Sequence, residues 1–243
     1  MDLGKYLQQN HNQLTWKKRI HITEHTIESI EKIHRENAIH RDLHSGNILY
    51  IEDYDSWYIG DLGFCGPVDK PLKSIYGNLA YIAPEVISGK GYTFASDIYS
   101  FGMLMWEISS GQPPFADFDH DYDLAVKLIN RMRPKIVPGT PLEYEKLMKQ
   151  CWDADPSERP DAETLCDKIK EIYKSYYQNE NEEQINNDIN TQFNTQFNTN
   201  INASSCSVNS LARKLSRVHI FEGLPEPRNA TEGKLLKLYL LYL

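Results

Sequence analysis

The chain has 243 residues, 40% of them hydrophobic and 11% aromatic, enough for one domain of ordinary size plus a tail. Acidic side chains outnumber basic ones by 34 to 26, for a net charge of −8, and no basic run of the kind that would track phosphates is present, which argues against a nucleic-acid partner. The four cysteines, Cys65, Cys151, Cys166 and Cys206, form no C-x-x-C pair, so neither zinc nor a disulfide framework is expected. The N-terminus lacks a charged region followed by an apolar run, and the apolar ending Leu235–Leu243 is too short to span a bilayer. These features predict an intracellular, cytoplasmic protein with reduced thiols and no membrane partner.

In chain order, Asp2 to Leu7 reads as a short helix with Leu3 and Leu7 on one face. From about Thr15 to Glu36 a longer helix is expected, because Trp16, Ile20, Ile27, Ile30 and Ile33 recur at helical spacing opposite a charged face. Ile39-His40-Arg41-Asp42-Leu43-His44-Ser45-Gly46-Asn47 follows. Two apolar runs come next, Ile48–Ile51 and Trp57–Ile59, and the intervening Glu52–Ser56 makes them a β-hairpin. That hairpin would carry Asn47 and Asp61 at neighbouring ends, where a carboxamide and a carboxylate oxygen can converge. Such ligands suit Mg²⁺ bound together with phosphates. Asp42, in a loop shortly before Asn47, is placed to take a proton from a hydroxyl.

Asp61-Leu62-Gly63 opens a loop to about Tyr81 containing Gly66, Pro67, Pro71 and Gly77, and Ala83-Pro84-Glu85 follows it. Ser96 or Asp97 is expected to cap a helix through Ile108 that is apolar nearly all round and so buried on every side. Gly111 and Pro113 end it. Tyr122–Arg131 and Leu142–Trp152 read as amphipathic helices, the second with Leu147, Cys151 and Trp152 inward. After a turn at Asp155–Pro160, Asp161 caps a helix to about Tyr177 with Leu165, Ile169 and Ile172 facing the core. At Gln178 the composition breaks. Residues 178–210 hold ten Asn and read as a disordered low-complexity linker. Residues 211–243 form a tail, readable either as a docking segment or as an unstructured extension.

Positions 40–47 match the pattern H-R-D-L-x-x-x-N, and here the chain resembles the protein kinase family. Asp61-Leu62-Gly63 stands where that family has D-F-G, and Ala83-Pro84-Glu85 matches its A-P-E. The resemblance covers roughly residues 1–177 and implies a mainly α (α+β) fold. It corresponds to the family's large helical lobe with short β-hairpins, with the small N-terminal lobe absent and a disordered C-terminal tail. It implies ATP and Mg²⁺ as cofactors and proteins as substrates. Asp42 then matches the catalytic base, and Asn47 and Asp61 the metal ligands. Leu49 joins those two among the nucleotide-binding residues. Arg41 matches an arginine that pairs with a phosphorylated activation segment, on which Ser74 and Tyr76 are acceptors or plain loop residues. His44 lies where a γ-phosphate contact is implied, although a lone loop histidine is more often a surface residue. His40, Asp97, Glu85 and Arg159 match structural positions. Asp97 is the anchor of the catalytic-loop backbone, and Arg159 is the partner of Glu85.

Departures from the family pattern narrow the expectation. Ser/Thr kinases usually carry Lys two residues after the catalytic Asp, where this chain has His44. They favour Thr where it has Asn78. The tyrosine-kinase pattern fits worse, so the resemblance is to tyrosine-kinase-like Ser/Thr kinases. No Gly-rich phosphate loop and no strand lysine precede Asp42. The alternative is therefore a non-catalytic, pseudokinase-like binding or regulatory module.

Overall fold

The computed structural model describes residues 1–67, 75–191 and 217–219. Asp2 caps α1 (Leu3–Asn10), its carboxylate accepting from the Lys5 amide at 3.0 Å. Thr15 caps α2 (Trp16–Arg35), whose Ile20, Ile27 and Ile30 are fully buried. The chain then enters β1 (Ala38–Ile39) and the polar stretch from His40 to Asn47. β2 (Ile48–Ile51) and β3 (Ser56–Ile59) form the expected antiparallel hairpin, in register from Ile48↔Ile59 to Ile51↔Ser56. Asp55, at φ 44°, supplies the left-handed residue that closes its turn.

Two short strands follow. β4 (Gly66–Pro67) pairs with β1. β5 (Ile75–Gly77) leads through a 3₁₀ turn at Leu79–Tyr81 into α3 (Pro84–Ile87). α4 (Phe94–Ser110) is the hub of the fold, buried continuously from Ser96 to Met105 as its all-round apolar pattern predicts. α6 (Leu142–Cys151) packs against it, α5 (Tyr122–Ile129) stands against α3, and α7 (Ala162–Thr191) runs along α2. Gly102 lets α4 approach α6 closely, since a β-carbon there would sit 2.8 Å from that of Cys151. Phe101, Leu104, Ile30, Tyr144 and Leu165 meet in the resulting core, each fully buried. Burial of a side chain of this size stabilises by about 1.5–3 kcal/mol. The described residues are thus rich in helix with a few short strands, a layout compatible with a kinase-like domain.

Two boundaries differ from expectation. α4 is capped by Thr93, not by Ser96 or Asp97. The Thr93 side chain accepts from the Ser96 amide while Ser96 Oγ accepts from the Thr93 amide, a reciprocal capping box. Asp97 is therefore not spent on the helix end. α7 runs to Thr191, not to Tyr177, and enters the stretch read as a disordered linker. No Gly or Pro lies between Gln178 and Thr191 to stop it, and Gln and Glu are good helix formers. One further strand, β6 (Arg217–His219), belongs to the tail and pairs antiparallel with β5. The rest of the tail, with the ending Leu235–Leu243, lies outside the described residues, as does Ser74. Among those described, no helix is long and apolar enough to cross a membrane.

Candidate active site

The site is assembled around Asp97, one turn into α4. Its Oδ2 accepts the His40 amide at 2.7 Å and its Oδ1 the Arg41 amide at 3.0 Å. His34 of α2 stands 3.0 Å from Oδ2 on the other side. These bonds hold Arg41 at φ 73°, a left-handed conformation that a non-glycine residue keeps only when its surroundings impose it. The Arg41 guanidinium donates to the carbonyls of Phe64 and Pro67 at 3.3 and 2.7 Å, tying the loop of residues 40–47 to the chain leaving Asp61.

His40 is fully buried and acts as a second tie. Its Nδ1 accepts the Asp42 amide at 3.3 Å, so the neutral ring carries its proton on Nε2, which faces the Gly60 carbonyl at 3.2 Å. The loop bearing Asp42 and the strand end bearing Asp61 are thereby joined through one imidazole.

Asp42 is buried, with its carboxylate facing a small cleft lined by Gly77, Asn78, Tyr81 and Ile82. Gly77 is the closest wall. It sits at φ 126°, and a β-carbon on it would lie 3.1 Å from Asp42 Oδ1, so any larger residue would be strained and would crowd the carboxylate. Asn78 accepts from the Ala80 amide at 3.3 Å and caps the 3₁₀ turn that follows.

Asn47 donates from Nδ2 to the Asp42 carbonyl at 2.9 Å, which fixes its amide plane. Its own carbonyl accepts the Gly60 amide at 2.8 Å, so the hairpin brings Asn47 and the residue before Asp61 side by side, as its spacing predicts. Asp61 adopts φ 54° and is exposed. Among the described residues no three His, Cys, Asp or Glu side chains form a metal cluster. The donor set fits a metal held by Asn47 and Asp61 and completed by phosphate and water oxygens, which is the usual habit of Mg²⁺. Leu49 is on the outer face of the hairpin, 41% exposed, with its Cδ1 against Gly60.

His44 is not the surface residue its loop position suggests. Its ring is largely buried, and the Gly46 amide donates to Nδ1 at 3.1 Å. The neutral ring then carries its proton on Nε2, 3.8 Å from Asp42 Oδ1. Burial pushes the imidazole pKa below its ordinary value against the pull of Asp42, so His44 is a neutral polar neighbour of Asp42 at pH 7. Glu85 and Arg159 form the expected pair in bidentate geometry at 2.6 and 2.8 Å. Tyr76 belongs to β5 by its backbone; its side chain, like Ser74, is outside what the structure describes.

Sequence reading missed a buried cluster beneath the loop. Tyr81 donates from its hydroxyl to Glu107 Oε2 at 2.6 Å, Ser45 bonds to both, and Ser100 donates to the Tyr81 carbonyl at 2.7 Å. Burial pushes the Glu107 carboxyl up to about 7. The available signal was one acid inside the apolar run Met103–Ile108 of a buried helix.

A family model described as protein tyrosine and serine/threonine kinase matches residues 1–169. The chain belongs to the protein kinase family. A probable LIM domain-containing serine/threonine-protein kinase of Dictyostelium discoideum is 33% identical over 164 residues, 67% of this chain and 25% of the relative. A dual serine/threonine and tyrosine protein kinase of Canis lupus familiaris is 35% identical over 154 residues, 60% of this chain and 16% of its own length. Mitogen-activated protein kinase kinase kinase 7 of Drosophila melanogaster is 32% identical over 138 residues, 57% of the chain and 20% of that protein. The kinase-family chain thus spans a quarter or less of the length of these relatives.

Proposed function

We propose that this chain supplies the catalytic loop and metal-binding part of an ATP-dependent protein kinase acting on Ser or Thr hydroxyls, corresponding to the large lobe of such a domain. The supporting observation is the coupling of three groups. Asp42 faces a cleft, Asn47 is locked to the Asp42 carbonyl, and Asp61 follows the Gly60 that is bonded to both Asn47 and His40. In the proposed transfer the substrate hydroxyl oxygen bonds to Pγ of ATP, the bond from Pγ to the β–γ bridging oxygen breaks, and ADP leaves. Asp42 orients the hydroxyl and accepts its proton. Mg²⁺ held by Asn47 and Asp61 would offset charge on the phosphate oxygens. Neutral His44, with Nε2 3.8 Å from Asp42 Oδ1, gives that carboxylate a polar neighbour without adding a cation.

Nucleotide binding tests the reading. A Mg-ATP titration of the full chain followed by thermal shift is expected to raise the melting temperature, and Asp61→Asn to remove the rise. At a hundred times Kd the stabilisation would be about 2.7 kcal/mol. No shift at millimolar nucleotide would overturn the enzyme reading. A second reading, a non-catalytic binding module, predicts that same null result.

A further inference from the structure

β5 lies in the segment between Asp61 and Glu85, and its partner among the described residues is β6, from the far end of the chain. The register is Ile75↔His219, Tyr76↔Val218 and Gly77↔Arg217. Gly77 is the residue that walls Asp42, with a virtual β-carbon 3.1 Å from Oδ1. A polypeptide strand therefore runs backbone to backbone along the one short strand that ends at the Asp42 carboxylate. Without it, β5 would present an open edge of amides and carbonyls, a template for strand addition.

The return of the tail is geometrically unforced. α7 is 30 residues long, about 45 Å at the helical rise. Residues 192–216 then separate it from β6, a length of chain that spans up to roughly 80–90 Å when extended. In sequence the strand is set in Arg213-Lys214-Leu215-Ser216-Arg217-Val218-His219, a cationic run with a hydroxyl residue inside a chain of net charge −8.

We propose that the edge of β5 is a docking site for an extended, basic, hydroxyl-bearing peptide, and that β6 occupies it in cis. The tail then competes with any polypeptide that must lie along β5 to bring a hydroxyl to Asp42. That last step rests on the proposed role of Asp42; occupancy of the edge does not. Tethering gives the tail an effective concentration in the millimolar range, so an outside peptide of ordinary affinity is held off until the strand is displaced.

The test uses the full chain and no nucleotide. Val218→Pro removes the amide and fixes the φ of the middle residue of β6, far in sequence from the core. Amide hydrogen exchange of residues 75–77 should be slow in the parent chain and at least tenfold faster in Val218→Pro, with residues 38–47 unchanged in both. A fluorescent peptide with the sequence of residues 211–222 should bind Val218→Pro at least tenfold more tightly than the parent, as read by anisotropy, and restore slow exchange at 75–77. A scrambled peptide should do neither. Equal exchange at 75–77 in the two chains, or equal peptide affinity, would overturn the proposal. Asp42→Asn should keep the same protection at 75–77. If Mg-ATP fails to bind while these results hold, the enzyme reading falls and the docking edge stands.

Discussion

The Glu85–Arg159 pair makes the sharpest stability prediction, because the two partners are not equally replaceable. Their side chains are 5% and 0% exposed, and both guanidinium Nη atoms reach the carboxylate. Arg159 has other support. It donates to the carbonyls of Ala95 and Asp153 at 2.8 Å each and lies 5.2 Å from the centre of the Tyr99 ring. Arg159→Ala therefore strands a buried carboxylate and also vacates two carbonyls. Glu85→Gln removes the negative charge, but Arg159 keeps its backbone acceptors and the Tyr99 face. Removing one member of a buried pair costs about 3–5 kcal/mol, and Arg159→Ala should fall in that range. Glu85→Gln should cost less than half as much. For a domain of this size each kcal/mol moves the melting temperature by about 2–4 °C, so Arg159→Ala should lower it by roughly 6–20 °C. Urea unfolding followed by tryptophan emission gives both values directly, since Trp57 and Trp152 are buried. A loss below 1 kcal/mol for Arg159→Ala, or an equal loss for Glu85→Gln, would refute the reasoning.

Asp97→Asn should keep the helix start, which Thr93 caps, yet release the His40 and Arg41 amides from a charged acceptor. It is expected to cost about 1.5–3 kcal/mol, with faster amide exchange at residues 40–42 than at α4; uniform loosening would contradict the anchor role. Asp42→Asn should lower phosphoryl transfer at least a hundredfold while leaving the Mg-ATP thermal shift in place, and equal loss of both would move Asp42 out of the base role. Glu107→Gln should show a pH signature. With its folded pKa near 7 against an ordinary 4.5, Glu107 holds a proton in the fold that the unfolded chain has released between those values. Its contribution therefore declines as pH rises through that window, and Glu107→Gln should gain on the parent by about 1.4 kcal/mol per pH unit there, then level off above 7. A difference that does not change with pH would dismiss it. The histidines act in the opposite sense. Burial lowers His11, His25 and His44, and takes His21 to about 4, so below pH 6.5 the unfolded chain gains protons that the fold refuses. Stability should therefore fall between pH 6.5 and 4, and replacing His21 with Gln should flatten part of that fall in a pH series of urea midpoints.

Much of this site was legible because its parts are local in sequence. The hairpin that places Asn47 beside Gly60 is spelled by two apolar runs and a short polar connection, although Ser56, read as part of that connection, pairs with Ile51. Helices α2 and α6 carry their own periodicity, α4 its all-round apolar run, and Asp161 caps α7 as expected, accepting the Thr164 amide at 2.8 Å. What escaped depends on residues distant in sequence. Thr93 took the cap of α4 because a Ser stood three residues on to reciprocate, leaving Asp97 for the loop 57 residues earlier. The burial of His44 and the Tyr81–Glu107 bond arise only when the segment after Gly77 folds over the catalytic loop. The pairing of β6 with β5 joins residues 140 or more apart, and no periodicity announces it.

The distribution of bonds separates two tasks that a phosphoryl-transfer site must perform. Asp97 fixes the amides of His40 and Arg41, the His40 ring fixes Gly60, and Asn47 bonds to Asp42 and Gly60 alike. The residues proposed as base and metal ligands thus lie in, or directly next to, one hydrogen-bonded unit within residues 34–97. Gripping the phosphates is a different task, and no residue of this unit is a lysine placed for it. Under the proposed function, a nucleotide positioned by other groups would meet these residues already bonded in place, so the cost of organising them would fall on folding and not on binding. The same argument gives the activation segment its leverage. A β-carbon on Gly77 would come within 3.1 Å of Asp42 Oδ1, so under the docking proposal the strand that lies along β5 governs access to that carboxylate.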